Sequence, residues 1–117
     1  MTFKVIEGSK SVWTVERSEL FDDSLNRAAT VFSDLRDKLD KFLVIKIDDP
    51  IQNRYGKHDR RMTGDLAGFW HCHLRDDAVL IYQLSGKTMT LVYIAPHAEI
   101  EGKRLKQTAK RLHAIAA

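Results

Sequence analysis

The sequence predicts a small α+β domain: an N-terminal strand, or a short hairpin, leads into a two-helix hairpin packed on an antiparallel β-sheet, and a basic helix closes the chain. Three observations carry that expectation. Phe69 to Leu74 alternates so that its side chains sort onto two faces, and two more strand-like runs follow. Between Ser18 and Pro50 the apolar residues recur instead at helical spacing. Residues 102–117 join an apolar helical stripe to basic side chains without a single acid.

A chain of 117 residues and 13.4 kDa suits one domain with a core of its own, residues 1–117, in which 1–10 form an N-terminal extension and 102–117 a terminal helix. The lone cysteine, Cys72, excludes an internal disulfide, and MTFKVIEGSK lacks the features of a secretory leader. The longest apolar runs, Ala78 to Tyr82 and Leu91 to Ala95, are far too short to span a bilayer. A cytoplasmic protein with no membrane contact is therefore expected. The net charge of +3 and pI of about 9.1 lean mildly towards polyanions.

Phe3 to Ile6 and Val12 to Val15 are rich in β-branched and aromatic residues around the turn-like Glu7-Gly8-Ser9-Lys10, which fits a hairpin or a frayed leader before one strand. Ser18 stands where a helix N-cap belongs, with Glu19, Asp22 and Asp23 in the first turn, where the helix dipole favours carboxylates. Phe21, Leu25, Ala28 and Ala29 follow at helical spacing. Ser33 is a second candidate cap, and Phe32, Leu35, Leu39, Phe42 and Leu43 trace a second stripe ending near Asp48-Asp49-Pro50. No period survives from Ile51 to Gly68. That stretch carries Arg54, Lys57, His58, Arg60 and Arg61 against only Asp59 and Asp65, and reads as a solvated loop or an anion-binding one.

Gly68 opens the first strand of the sheet and the turn at Arg75 to Asp77 closes it. His71 and His73 share a face with Phe69; Trp70, Cys72 and Leu74 take the other, apolar one. Ala78 to Leu84 returns antiparallel, and Ser85-Gly86-Lys87 reverses the chain into Thr88 to Ala95. Pro96, with no N–H to donate, stops the pairing, and His97 follows at the sheet end that also holds His73 and Asp77. In the tail, which also holds His113, Leu105, Ala109, Leu112 and Ala116 form one helical face, while Lys103, Arg104, Lys106, Lys110 and Arg111 must stay in water.

These residues resemble the RelE-superfamily messenger-RNA interferase toxins, and within them the YafQ-like branch. The resemblance lies in Met62-Thr63-Gly64 and Gly68-Phe69, in His73-x-x-x-Asp77, in Leu80-Ile81-Tyr82 and in Ala95-Pro96-His97, and runs from Trp13 to about Ile100. It implies a RelE-like fold that cuts mRNA on the ribosome with neither metal nor cofactor, silenced by a cognate antitoxin. His73, Asp77 and His97 match catalytic positions of that branch, and His71 falls where it often has an acid. Two departures stand out. Arg60 occupies the place of a loop histidine, with His58 two positions further back, and Tyr93 stands where related toxins put an arginine. The C-terminal helix inherits no assignment.

Metal-free RNA cleavage needs a base for the 2′-hydroxyl, an acid for the departing 5′-oxygen and positive donors for the phosphorane. Imidazoles can serve in either proton transfer, and a carboxylate can fix a ring's tautomer. The resulting assignment is His73 and His97 as the acid–base pair and Asp77 as orienter. Arg60, Arg61 and His71 would contact phosphate, Lys57 and His58 would assist, and Phe69 would be a base-stacking platform. Three other readings fit the same residues: a zinc site built on His71-x-His73, a ParE-type protein that binds DNA gyrase, and an inactive module that only binds an antitoxin.

Overall fold

The computed structural model describes residues 3–5, 13–56 and 59–116. Strands β1 (Phe3–Val5) and β2 (Thr14–Arg17) precede helices α1 (Glu19–Val31) and α2 (Leu35–Lys46). After a loop come β3 (Arg60–Arg61), β4 (Trp70–Arg75), β5 (Ala78–Ser85), β6 (Thr88–Ala95) and helix α3 (Leu105–Ala116), with short 3-10 turns at Gly64–Leu66, His97–Ile100 and Gly102–Arg104. The strands lie in the order β1-β2-β6-β5-β4-β3. The N-terminal alternative thus resolves as a hairpin, β1 pairing antiparallel with β2; its expected turn, Glu7 to Lys10, lies outside the described residues.

The sheet is mostly antiparallel, as expected, with one parallel pair. β2 runs parallel to β6, whereas every other pair is antiparallel. Parallel neighbours need a long crossover, and the chain between β2 and β6 supplies it with α1, α2 and the rest of the sheet.

Ser18 caps α1 as its position predicts, its Oγ accepting the Phe21 N–H at 3.0 Å. The same hydroxyl donates to the Val92 carbonyl at 2.8 Å. That carbonyl belongs to a bulge: β5 and β6 pair Ile81 with Tyr93 but Tyr82 with Leu91, so Val92 is the extra residue. Ser24 Oγ likewise accepts the Ile94 N–H at 2.9 Å, and the two serines pin α1 onto β6. The second cap differs from expectation. Asp34, not Ser33, stands at the N-terminus of α2, and its carboxylate makes no cap bond; both its oxygens accept from Arg75 Nη1, at 2.7 and 2.8 Å. That bond, more than any other influence, lowers the Asp34 pKa.

Two cores result, one on each face of the sheet. On one face α1 and α2 bury Phe21, Leu25, Leu39 and Phe42 against Trp70, Cys72, Leu80, Tyr82 and Leu91. On the other, α3 sets Ala109 and Leu112 over Phe69, Ile81, Val92 and Tyr93. α3 thus docks by its expected stripe, leaving Arg104, Lys106, Lys110 and Arg111 exposed.

The stretch from Ile51 to Gly68 is anchored where its sequence offers no period. Asp59 and Lys46 are both fully buried, and Lys46 Nζ meets Asp59 Oδ2 at 2.6 Å. Tyr82 donates its hydroxyl to Asp59 Oδ1, the Tyr55 N–H reaches Oδ2 at 2.7 Å, and Arg54 Nη1 reaches the Asp59 carbonyl at 2.8 Å. The Lys46 ammonium sits 5.4 to 5.9 Å from the ring centres of Tyr82, Trp70 and Phe42. Burial, and then this hydrogen bond, push the Tyr82 pKa far up. A buried charge left unpaired would cost several kcal/mol, of order 3–5. The latch therefore holds the residue just before β3 in one place.

Candidate active site

β4 presents His71 and His73 on the face opposite Trp70, Cys72 and Leu74, as period-two alternation requires. Their ring centres are 5.9 Å apart. Cross-strand pairing carries the two rows across the sheet: Arg60, His71, Ile81 and Tyr93 form one, His73, Val79 and Ala95 the next. His97 opens the 3-10 turn just past Ala95, which brings it beside His73, edge-on at 5.5 Å between ring centres. The His73 ring thus stands between the other two imidazoles in contact order, all three half-exposed, with Arg60 across from His71.

Asp77 acts on His97 through the backbone. Its Oδ1 accepts the His97 N–H at 2.8 Å, so it fixes where the turn begins. The ring's carboxylate partner is Glu101, one helical turn further on, whose Oε1 lies 3.0 Å from His97 Nδ1. With Nδ1–H donating there, Nε2 is left for a substrate. An i,i+4 spacing marked Glu101 in the sequence, but only if a turn of helix followed Pro96.

His71 is also held by one nitrogen. Its Nδ1–H donates to the Arg60 carbonyl at 3.3 Å. Burial lowers its pKa, and neighbouring His73 and Arg60 add to the effect, although the bond to the Arg60 carbonyl opposes it. Neutral and with its donor engaged, His71 offers an acceptor nitrogen, which suits a hydroxyl hydrogen better than the phosphate oxygen expected of it.

The two arginines of β3 part company. Arg60 pairs with His71 and shares its face; Arg61 pairs with Trp70, and its guanidinium lies 5.3 Å from the Trp70 ring centre on the helix side. Arg61 nevertheless borders the cleft beside Arg60 and His71, so strand alternation divides the two side chains without taking Arg61 away from the site. The role expected of Phe69 is corrected. It lies on the histidine face but is 1% exposed, sealed by α3 with the His113 ring 4.9 Å away, so no base can stack on it. Lys57 and His58 lie outside the described residues. Tyr93 is buried, its hydroxyl donating to Glu99 Oε1 at 2.6 Å under the Arg111 guanidinium, and desolvation raises its pKa. Among the described residues no three His, Cys, Asp or Glu side chains converge as a metal site, and the Cys72 thiol is buried with its pKa driven up by desolvation. No helix of the described residues is long and apolar enough to cross a membrane. The Lys46–Asp59–Tyr82 latch leaves no local signal in the sequence, because its members are distant in the chain.

A family model described as the bacterial toxin of type II toxin-antitoxin systems, YafQ, matches residues 13–102. No curated protein matches the chain in sequence. Among solved structures, a mutant of YafQ from E. coli is similar at 22% identity and a TM-score of 0.63, over 75% of this chain and 97% of that one. The toxin in the E. coli DinJ-YafQ complex is similar at 23% and 0.62, over 75% and 97%. A metal-bound toxin from Helicobacter pylori is similar at 27% and 0.59, over 74% and 97%. These likenesses account for almost all of each neighbour and leave a quarter of this chain over. α3 lies beyond the residues that the family model matches.

Proposed function

The chain belongs to the YafQ family of bacterial type II toxins, and on that premise we propose that it is an mRNA endoribonuclease acting in the cytoplasm on translating ribosomes. The observation that carries the reading is the His73–His97 pair, two half-exposed imidazoles 5.5 Å apart at the end of a rigid sheet, beside Arg60 and a neutral His71. In the proposed reaction one imidazole removes the 2′-hydroxyl proton as the 2′-oxygen bonds to phosphorus. The bond from phosphorus to the 5′-oxygen breaks, and the other imidazole, as imidazolium, protonates that oxygen. The products are a 2′,3′-cyclic phosphate and a free 5′-hydroxyl. Arg60 balances charge on the phosphorane, Glu101 holds the His97 tautomer, and Asp77 fixes its backbone. A scissile phosphate between the two rings is within reach of both.

The expected inhibitor is a cognate antitoxin, as in the DinJ-YafQ complexes that this chain resembles in fold. The exposed basic side chains of α3 favour an acidic partner. The test is mapping of cut sites on a message translated in a purified system. Wild-type protein should cut it, and His73→Gln and His97→Gln should each lower the rate by about 10²- to 10⁴-fold without unfolding the domain. Cutting at the wild-type rate by either variant would overturn the assignment. Loss of DNA gyrase supercoiling with intact message would favour the ParE-type alternative.

A further inference from the structure

We infer that the cleft between the Gly64–Leu66 turn and the start of α3 is a nucleobase pocket, which receives the base of the nucleotide next to the scissile phosphate in single-stranded RNA. The inference rests on the nuclease reading and supplies the subsite that reading leaves open.

The cleft holds about 470 Å³ and has two kinds of wall. One is polar, formed by Arg60, Arg61, Thr63 and His71; the other is apolar, formed by Met62, Leu66, Ile100 and Leu105. A nucleotide has the same division, an anionic phosphate joined to a flat base with apolar faces. The imidazoles set the spacing. The His73 ring lies 5.5 Å from His97 and 5.9 Å from His71, and of the three it is His71 that lines the cleft. RNA held with a phosphate between His97 and His73 carries its neighbouring base past His71 into the cleft.

The apolar wall is firmly placed. Ala109 and Leu112 bury α3 against the sheet, and His113 closes the far side: its Nε2–H donates to the Asp65 carbonyl at 2.9 Å and its ring rests against Phe69. Asp65 belongs to the Gly64–Leu66 turn, so one contact ties the two lips of the cleft together. Leu105 lies outside the residues matched by the family model. Base preference set there would accordingly be a property of this chain and not of the shared fold.

The probe is a set of 2′-deoxy trinucleotides that differ in one base, with an abasic member as control. They lack the attacking hydroxyl and cannot be cut, so the measurement does not depend on catalysis. Methyl resonances of Met62, Leu66, Ile100 and Leu105 should shift with the base-bearing probes and not with the abasic one. Leu105→Trp, which fills the pocket, should weaken binding of the base-bearing probes about tenfold and leave the abasic one unchanged. Should tryptophan disturb α3, Leu105→Ala should flatten the differences among the four bases. Equal binding of abasic and base-bearing probes, or shifts confined to methyls elsewhere, would overturn the pocket even if the wild type cuts RNA. Base-dependent shifts in a protein that cuts nothing would sink the nuclease reading and leave the pocket standing.

Discussion

The two faces of β4 hold ionisable groups in opposite ways. On the helix face Lys46 and Asp59 are wholly buried, paired at 2.6 Å and enclosed by Phe42, Trp70 and Tyr82, with every oxygen of the carboxylate engaged. On the histidine face His71, His73 and His97 are half in water, and His71 and His97 are each held by one nitrogen, leaving the other for a ligand. A saturated buried network fixes geometry but has nothing to offer a substrate. A half-saturated, half-wet one offers reactive atoms at little cost in stability. The first face builds the platform on which the second can act, because Asp59 immediately precedes Arg60, and Trp70 immediately precedes His71.

The sharpest way to break this comparison is to unpair the latch. Asp59→Ala should strand the Lys46 ammonium in an apolar site and cost about 3–5 kcal/mol of folding stability, read from denaturant midpoints. His97→Gln on the other face should stay within about 0.5 kcal/mol of wild type. If the two variants lost equal stability, the division of labour between the faces would be wrong. A double variant, Lys46→Met with Asp59→Leu, should recover much of the loss while leaving Arg60 less well placed, so that RNA cleavage stays below wild type.

A smaller effect separates the neighbouring arginines. Arg60→Ala should reduce the salt dependence of RNA binding by about 0.7 in the log–log slope, the share of one phosphate on a single strand. Arg61→Ala, whose guanidinium rests on Trp70 at the edge of the cleft, should lower the slope less than Arg60→Ala and cost about 0.5–1 kcal/mol of stability. Equal slopes for the two variants would mean that both side chains reach the RNA alike.

The smallest effect concerns pH. The folded-state pKa of His71 lies below its unfolded value near 6.5, so the folded form binds fewer protons there. The stability associated with neutral His71 is complete above about pH 6.5 and declines as the pH falls through the folded pKa. Denaturant midpoints at pH 7.5 and 5.5 should therefore fall further apart in wild type than in His71→Gln. Equal differences would show that the ring gains and loses its proton alike in both states.

Much of the fold was legible because its signals are local. Alternation in Trp70–Arg75 assigned each side chain to a face, Ser18 marked the start of α1, and Pro96 marked the end of β6. The antiparallel returns after Asp77 and Gly86 then brought His73 and His97 to one sheet end without any side-chain detail. The same alternation already separated Arg60 from Arg61, once the two were known to form a strand. As a two-residue strand it left no period to read.

By itself, then, the sequence determined the order of elements, the faces of the central strands, the amphipathic stripe of α3 and the meeting of three histidines, since each follows from chain geometry over a few residues. Tertiary structure alone decided that β2 runs parallel to β6, that Asp34 turns to Arg75, that Phe69 lies sealed under α3, and that His97 takes Glu101 as the partner of its ring while Asp77 takes its backbone. It alone also joined Lys46 to Asp59 and Tyr82. These outcomes depend on which distant segments compete for one volume or one polar partner. That competition is settled by burial and hydrogen-bond satisfaction across the whole domain, for which no single stretch of sequence carries a sign.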